Sequence, residues 1–232
     1  MNIAVLGTGM VGHAVGSKLL SGGHEVTMGS RAVDCEAAQQ WLRSVGGNGR
    51  AGTFADAAAF GEIIFDCTNG ANSLTALRQA GAANMNGKIL IQIANPLDFS
   101  HGMPPSLTVC NTDSLAEQVQ REFPEVRLVK ALNTMSYMVM VEPSLVPGDH
   151  NLFICGNDQA ARAEVAGHLC DWFGWKRENV LDLGDITASR GLEMFLPLWL
   201  RIWGALDNAP FNIHVVTSDG ILSKPAPQRS IA

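Results

Sequence analysis

The sequence has few charged residues and no surplus of positive charge. Only 16% of its 232 residues are charged, and 22 Asp and Glu outnumber 16 Lys and Arg, which gives a formal net charge of −6. A protein that holds nucleic acid through its phosphates needs a basic face, and this composition does not supply one. We therefore expect no nucleic-acid partner.

Cysteine and histidine are too widely spaced to indicate a metal site. The five cysteines include no C-x-x-C pair, and the six histidines form neither an H-E-x-x-H nor an H-x-x-x-H pair. The odd number of cysteines gives no sign of a disulfide framework either. Residues 1–9 lack the basic stretch of a signal peptide. These absences predict a reduced, cytoplasmic protein without a metal ion.

No apolar run is long enough to predict a membrane span. The most apolar segment, residues 191–206, is interrupted by Glu193, Pro197 and Arg201, and it is shorter than the roughly 20 residues that a span needs. We therefore expect no membrane partner.

The same segment carries two tryptophans that favour a contact role. Trp199 and Trp203 lie four residues apart, on one face of a predicted helix. This face is expected to lie in the core, to roof a pocket or to contact a second subunit, and we predict a homodimer. The polar residues 217–232 predict a mobile tail or an arm around a partner subunit.

Short apolar runs alternate with segments of helical pattern along most of the chain. The runs predict strands at residues 2–6, 25–28, 62–65, 88–93, 127–131 and 151–155. The segments between them predict helices at residues 10–20, 32–44, 72–80, 114–123 and 159–173. Most of the strands are continuously apolar, as in a parallel sheet that is covered by helices on both faces.

This alternation predicts an α/β fold with a doubly wound, mostly parallel Rossmann sheet. We divide the chain into a nucleotide-binding domain, residues 1–184, and a C-terminal helix and tail, residues 185–232. The second part is expected to roof a pocket, to contact a second subunit, or both.

A glycine-rich loop lies where the first strand meets the first helix. Gly7, Gly9 and Gly12 form a G-x-G-x-x-G sequence inside a βαβ unit. In that context the glycines allow a tight turn, the approach of the backbone to a pyrophosphate, and close packing of helix on strand. The N-terminus of the helix adds free N–H groups and partial positive charge. The loop predicts a dinucleotide site.

The end of the second strand predicts which dinucleotide binds. Enzymes specific for NAD usually carry an acid there for the ribose 2′-OH, whereas this chain has Ser30 and Arg31. A hydroxyl and a guanidinium can bind a 2′-phosphate, and we predict NADP(H). The alternative is that Arg31 is a solvated turn residue and that Asp34 reaches the ribose.

Small and amide side chains follow three of the other strands. Thr68 and Asn69 come after the predicted strand at residues 62–65, Asn95 after the one at residues 88–93 and Asn133 after the one at residues 127–131. Ligands of open α/β sheets lie beyond the carboxyl ends of the strands, so these residues are expected on the nicotinamide side. They could instead be ordinary turn residues. Cys67, beside them, is interpreted as structural.

These motifs together resemble one family. The segments GTGMVG, MGSR, IANP, VKALNT and DLGDITASRGLE occur in this order, and the chain resembles the coenzyme F420-dependent NADP oxidoreductases over residues 1–205. It is similar over the same stretch to the cytoplasmic NADPH-reductase domain of STEAP-type metalloreductases. The segment Asn133–Ser136 is closer to the metalloreductase version.

The resemblance implies a hydride transfer between NADPH and a flavin-type ring, with coenzyme F420 or FMN as the acceptor. It implies that Thr8, Ser30 and Arg31 bind the 2′-phosphate end of NADP and that Met10 and Val11 contact the diphosphate. It also implies that the nicotinamide side is lined by Thr68, Asn95, Ala131 and Asn133. Such a transfer needs positioning more than acid–base help, so we assign no catalytic side chain.

Two other functions stay open from the sequence. Reduction of a small imine or carbonyl compound needs a proton donor, for which Lys130, Tyr137 and Asp185 are candidates. The other is a non-catalytic protein that binds NADP(H) and senses redox state, since a fold does not determine a function.

Overall fold

The part of the chain that the structure describes contains ten strands, ten α-helices and three short 3₁₀-helices. The computed structural model describes residues 1–47 and 49–218. The strands are β1 Asn2–Leu6, β2 Glu25–Ser30, β3 Gly49–Thr53, β4 Ile63–Asp66, β5 Ile89–Gln92, β6 Leu97–Asp98, β7 Ser106–Leu107, β8 Arg127–Ala131, β9 Leu152–Cys155 and β10 Val180–Asp182. The helices are α1 Met10–Ser21, α2 Glu36–Val45, α3 Phe54–Phe60, α4 Gly70–Ala80, α5 Ala82–Met85, α6 Leu115–Glu122, α7 Tyr137–Val141, α8 Gln159–Phe173, α9 Ser189–Met194 and α10 Leu196–Ala205.

Eight of the strands form one twisted sheet in the order β10-β9-β8-β5-β4-β1-β2-β3. Every neighbouring pair is parallel except β8 and β9, which are antiparallel. The predicted doubly wound, mostly parallel α/β sheet with a C-terminal helical part is confirmed. Because β1, β2, β4, β5 and β8 run in the same direction, their carboxyl ends meet at one edge of the sheet, and the strands β6 and β7 form a small hairpin beside it.

Helices cover both faces of the sheet, as continuously apolar strands require. One face packs its apolar side chains against α1, α2 and α8, with Trp41 and Phe173 almost fully buried. The other face packs against α3, α4 and α6, where Leu77 and Val119 are fully buried.

The structure contains elements that the sequence pattern did not predict. Strand β3 reads GRAGT and has only one fully buried residue, since it lies at the edge of the sheet and pairs with β2 alone. The short helix α3 follows directly and begins with a reciprocal capping box between Thr53 and Asp56. Helix α2, predicted from residue 32, begins only at Glu36 because residues 31–34 form bends and turns.

The predicted C-terminal helix is two helices, α9 and α10. Pro197 lies in the first turn of α10, where a missing N–H removes no helical hydrogen bond. After α10 the chain returns to the start of β9, where the N–H of Asn151 donates to the Ile213 carbonyl at 2.8 Å. Of the predicted tail or arm, residues 219–232 lie outside the described residues. Among the described helices, none is long and apolar enough to cross a membrane.

Candidate functional site

The glycine-rich loop is shaped by two close backbone approaches. Gly7 has φ +116°, a conformation that favours glycine, and a Cβ there would lie 2.6 Å from the Cys67 carbonyl oxygen. A Cβ on Gly12 would lie 2.0 Å from the carbonyl oxygen of Gly7. At Gly9, by contrast, a Cβ would meet no atom within 4 Å. The loop is therefore tightly packed at Gly7 and Gly12, and it is open at Gly9, next to the N-terminus of α1.

A cleft of about 830 Å³ extends from this loop to the end of β2. Seven of the predicted site residues line the cleft: Gly7, Thr8, Gly9, Ser30, Arg31, Thr68 and Asn69. Arg31 is exposed, and no carboxylate of the described residues pairs with it. Asp34, the alternative ribose ligand, is exposed and does not line the cleft.

The turn at this end of the cleft is held by local hydrogen bonds. Ser30 is buried, and its hydroxyl donates to the Ala32 carbonyl and accepts from the Ala32 N–H. Cys35 precedes α2, and its sulfur lies 4.0 Å from the Thr8 hydroxyl. Hydrogen bonding from the Ala38 N–H lowers the pKa of the Cys35 thiol below its ordinary value. Cys35 lines the cleft, although no sequence motif had indicated it as a site residue.

A second cavity, of about 370 Å³, adjoins the cleft. The two spaces share the loop Cys67, Thr68 and Asn69. The predicted residues Met10, Val11, Thr68, Asn69, Asn95 and Asn133 line the second cavity. Gly12 and Ala131 line neither space, since Gly12 packs on the loop and Ala131 is fully buried in β8.

The shared loop is held by a buried carboxylate. Asp66, at the end of β4, is fully buried, and its Oδ1 accepts from the Thr68 N–H at 3.1 Å and from the Thr68 hydroxyl at 2.6 Å. Its Oδ2 accepts from the Ser73 hydroxyl at 2.5 Å. The carboxylate therefore orients Thr68 between the two spaces. An acidic residue inside the apolar run IIFD is the sequence signal that could have identified it.

Two asparagines from different strand ends bind each other in the second cavity. The Asn133 amide donates to Asn95 Oδ1 at 2.8 Å and to the Leu192 carbonyl at 3.1 Å. The Asn95 amide donates to the Asn133 carbonyl at 3.0 Å. The preceding residue, Leu132, has φ +63°, which is uncommon for a non-glycine residue. The turn after β8 thus directs Asn133 toward Asn95.

Behind the asparagines lies a buried ion pair between Lys130 and Glu193. Both side chains are almost fully buried, with Lys130 Nζ 2.8 Å from Glu193 Oε1. The ammonium also donates to the Ala94 carbonyl and to Gln92 Oε1, so all three of its protons have acceptors. Lys130 was a candidate proton donor, but it lines neither space.

Glu193 also caps a helix. Its carboxylate accepts from the N–H groups of Leu115 and Ala116, which begin α6, at 2.8 and 3.2 Å. Ser114, the residue before α6, accepts from the Glu117 N–H at 3.1 Å and caps the helix as well. The Glu117 side chain, instead of reaching back to the backbone, binds the Ser114 hydroxyl and Arg190. The segment SRGLE therefore ties α9 to the start of α6.

Helix α10 contributes apolar side chains to the lining of the second cavity. Leu196, Trp199 and Trp203 line it. The ring of Trp199 stacks against Trp203 and Phe211, with centroids 5.9 and 5.3 Å away.

The remaining candidates for chemistry lie in different environments. Tyr137 lines the second cavity. Asp185 accepts from the N–H and hydroxyl of Thr187 and caps a short 3₁₀-helix, and it lines neither space. Burial raises the pKa of the Cys67 thiol well above its ordinary value, which disfavours the nucleophilic thiolate. The described residues contain no group of three or more side chains suited to a metal ion.

Comparison with known proteins identifies the family. The family model for coenzyme F420-dependent NADP oxidoreductases matches residues 2–96. A protein from Arthrobacter sp. FB24, provisionally designated an F420-dependent NADP reductase, is 51% identical, with a TM-score of 0.88 over 94% of this chain and 100% of its own. The chain belongs to the coenzyme F420-dependent NADP oxidoreductase family. It is therefore an NADP-dependent oxidoreductase.

More distant structures share the fold alone. A hypothetical protein from Sinorhizobium meliloti is 21% identical, with a TM-score of 0.67 over 82% of this chain and 88% of its own. An imine reductase from Aspergillus terreus, solved with NADPH4 and a dibenzazepine, is 18% identical, with a TM-score of 0.61. That match covers 89% of this F420-dependent NADP oxidoreductase family member and 62% of the imine reductase.

Proposed function

We propose that this enzyme transfers hydride between NADPH, whose nucleotide part lies in the first cleft, and a planar flavin or deazaflavin ring that stacks on the nicotinamide in the second cavity. The observation that carries the proposal is the loop of Cys67, Thr68 and Asn69, which lines both spaces. A dinucleotide that runs along this loop would bring its nicotinamide from the cleft into the second cavity. NADPH supplies the hydride, and the chain supplies binding, orientation and the exclusion of water.

The cleft has features that suit the diphosphate and the 2′-phosphate. The open space at Gly9 leaves room for a diphosphate beside Gly7 and the first N–H groups of α1. Thr8, Ser30 and Arg31 are proposed to hold the 2′-phosphate end, and the exposed guanidinium of Arg31 is free to pair with it. Met10 and Val11, at the start of α1, are proposed diphosphate contacts.

The second cavity has features that suit two stacked rings. Thr68, Asn69, Asn95 and Asn133 are proposed nicotinamide-side residues, because all four line this cavity and carry hydrogen-bond donors and acceptors, and Thr68 and Asn69 also line the first cleft. Ala131 contributes only by packing, since its side chain is buried. The segment from residue 185 onward is proposed to roof this cavity on the nucleotide-binding domain of residues 1–184.

Anaerobic NADPH oxidation tests the proposal, with coenzyme F420, FMN, and FMN plus a ferric chelate as parallel acceptors. Turnover with either ring compound supports it, and the faster one identifies the acceptor type. NADPH binding without transfer to any ring compound would contradict it and would favour the redox-sensor alternative.

Reduction of an imine or carbonyl compound is the second candidate, and the position of Tyr137 in the second cavity favours it. A phenol there could donate the proton that such a reduction needs. If this candidate is correct, Tyr137→Phe abolishes reduction of a cyclic imine while NADPH affinity is unchanged. If ring compounds are the acceptors, the variant keeps most of its activity toward them.

A homodimer is a further part of the proposal. Leu198 on α10 is 55% exposed and Leu206, just after it, is 45% exposed, and exposed apolar residues close together favour a subunit contact. Light scattering coupled to size exclusion measures the mass directly. Leu198→Glu is expected to shift a dimer toward monomer, and a monomeric parent protein would contradict the prediction.

A further inference from the structure

The second cavity is the acceptor cavity of the proposed function, and the first cleft is its nucleotide cleft. The acceptor cavity differs from the nucleotide cleft in that none of its described lining residues is charged. Its walls are formed largely by methionines and aromatic rings, at Met10, Phe99, Met135, Met138, Trp199 and Trp203. Its polar groups are hydroxyls, a thiol, amides and indole N–H groups. The Lys130 ammonium, which does not line the cavity, is paired with Glu193 and donates all three of its protons to protein acceptors.

Several lining residues nevertheless have unused hydrogen-bonding atoms. Ser136 Oγ and Trp199 Nε1 are buried and have no hydrogen-bond partner among the described residues, and Asn133 Oδ1, on the proposed nicotinamide side, has none there either. The Ser136 hydroxyl and the Trp199 indole N–H can both donate to a ligand. Buried polar atoms normally have partners, so an acceptor with C=O groups would complete this pair.

A charged acceptor would gain little from such a cavity. Moving a phosphate or carboxylate from water to an apolar wall without a cation costs several kcal/mol. An uncharged planar ring loses only weakly held water and gains contact with methionine and indole surfaces.

We infer that the acceptor cavity recognises an uncharged, carbonyl-bearing planar ring and makes no favourable contact with an anionic tail. The inference rests on the proposed function, because it names the class of compound that receives the hydride. Phosphate or carboxylate groups on an acceptor are left in solvent and add nothing to its recognition.

Riboflavin and FMN are a matched pair for the test, since they share one ring and differ by a phosphate. Their equilibrium binding to the NADP⁺-loaded protein is measured by quenching of ring fluorescence, which does not require turnover. Riboflavin is expected to bind at least as tightly as FMN. FMN binding more than about tenfold tighter (about 1.4 kcal/mol), or no binding of either compound, would overturn the inference.

The same pair also separates this inference from the proposed function. Binding of riboflavin without NADPH oxidation would refute hydride transfer to the ring and leave the neutral-ring preference supported. An uncharged naphthoquinone, tested as a third compound, distinguishes a quinone acceptor from a flavin-type acceptor.

If the inference is correct, a positive charge added at the rim of the cavity should strengthen FMN binding relative to riboflavin binding. Phe99 lines the cavity and is 49% exposed, so Phe99→Arg would bring a guanidinium to the rim. The ratio of FMN to riboflavin affinity is expected to rise at least fivefold in this variant. Phe99→Gln removes the ring without adding charge and serves as the control. An equal ratio in both variants would show that charge at the rim is not what limits FMN binding.

Discussion

The ligand-binding region has a nucleotide end, which is the first cleft, and an acceptor end, which is the second cavity with the Lys130–Glu193 pair behind it. The two ends are built in different ways. The glycine loop and the Ser30–Arg31 turn of the nucleotide end come from one continuous stretch, residues 2–35, and the turn is held by local hydrogen bonds, as between Ser30 and Ala32. The acceptor end is assembled from distant segments. Asn95 binds Asn133 across 38 residues, and Lys130 binds Glu193 across 63. We conclude that nucleotide recognition depends on local sequence, whereas the acceptor end depends on tertiary contacts.

The largest effect is expected at the acceptor end. Lys130→Met leaves the Glu193 carboxylate buried without its cation, and removing one partner of a buried pair costs about 3–5 kcal/mol. Urea denaturation measures the loss in the free energy of unfolding. Because the pair holds Ala94 and the start of α6, the variant should also weaken acceptor binding more than NADPH binding.

A double-mutant cycle distinguishes the ion pair from simple packing. Lys130→Met combined with Glu193→Gln removes both charges, and its loss is expected to be smaller than the sum of the two single losses. Strict additivity would mean that the two side chains do not stabilise each other.

At the nucleotide end the expected effect is on selectivity alone. Arg31→Ala removes a charge-assisted contact of roughly 2 kcal/mol and should lower NADPH affinity about 30-fold relative to NADH. The thermal midpoint should not change, because Arg31 is exposed. Arg43→Ala is the matched control, since Arg43 is an exposed residue of α2 that pairs only with Glu36. Equal NADPH/NADH ratios for the Arg31 variant and the parent would place the 2′-phosphate elsewhere.

Thiol labelling tests whether bound NADPH covers Cys35 at the nucleotide end. The lowered pKa of Cys35 and its contact with Thr8 predict alkylation at pH 8, which NADPH at ten times its Kd should slow about tenfold. Cys110 is exposed and lines neither space, so its labelling rate should not respond to NADPH. Mass spectrometry of the labelled peptides measures both rates. Equal slowing at both cysteines would mean that protection is not local.

The smallest effect is expected when the pH is lowered. It concerns the ion pairs around helix α6, whose first N–H groups bind Glu193. Arg121 lowers the pKa of Asp113 to about 2, and Arg190 lowers the pKa of Glu117. The Asp113 carboxylate stabilises the fold above its pKa in the unfolded chain, near 4, and its contribution is lost as the pH falls toward about 2. The contribution of Glu117 is likewise lost as the pH falls through its own lowered pKa. Since Asp113 is only half-buried, its share is about 1 kcal/mol. Asp113→Asn should flatten the fall in thermal midpoint between pH 4 and pH 2.5, and an unchanged slope would contradict this.

Prediction from the sequence succeeded where one segment carries its own signal. The strand β8 and the helix α8 were predicted with their observed bounds, because strong apolar patterns defined both. The edge strand β3 and the short helix α3 were missed, because a glycine-rich strand with one buried residue has no strand pattern. The antiparallel direction of β9 could not be predicted from the sequence either, since an apolar run does not indicate which way a strand runs.

For the site too, only the features with a local sequence signal could be predicted. The sequence by itself determined the alternation of strands and helices, the glycine loop and the Ser30–Arg31 turn, because the signal for each lies within a few neighbouring residues. Only the tertiary structure decided that Lys130 is an ion-pair partner of Glu193 instead of a proton donor, and that Trp199 lies over an uncharged cavity. A buried charge must find its partner, and that partner is determined by which strands and helices pack together, not by its distance along the chain.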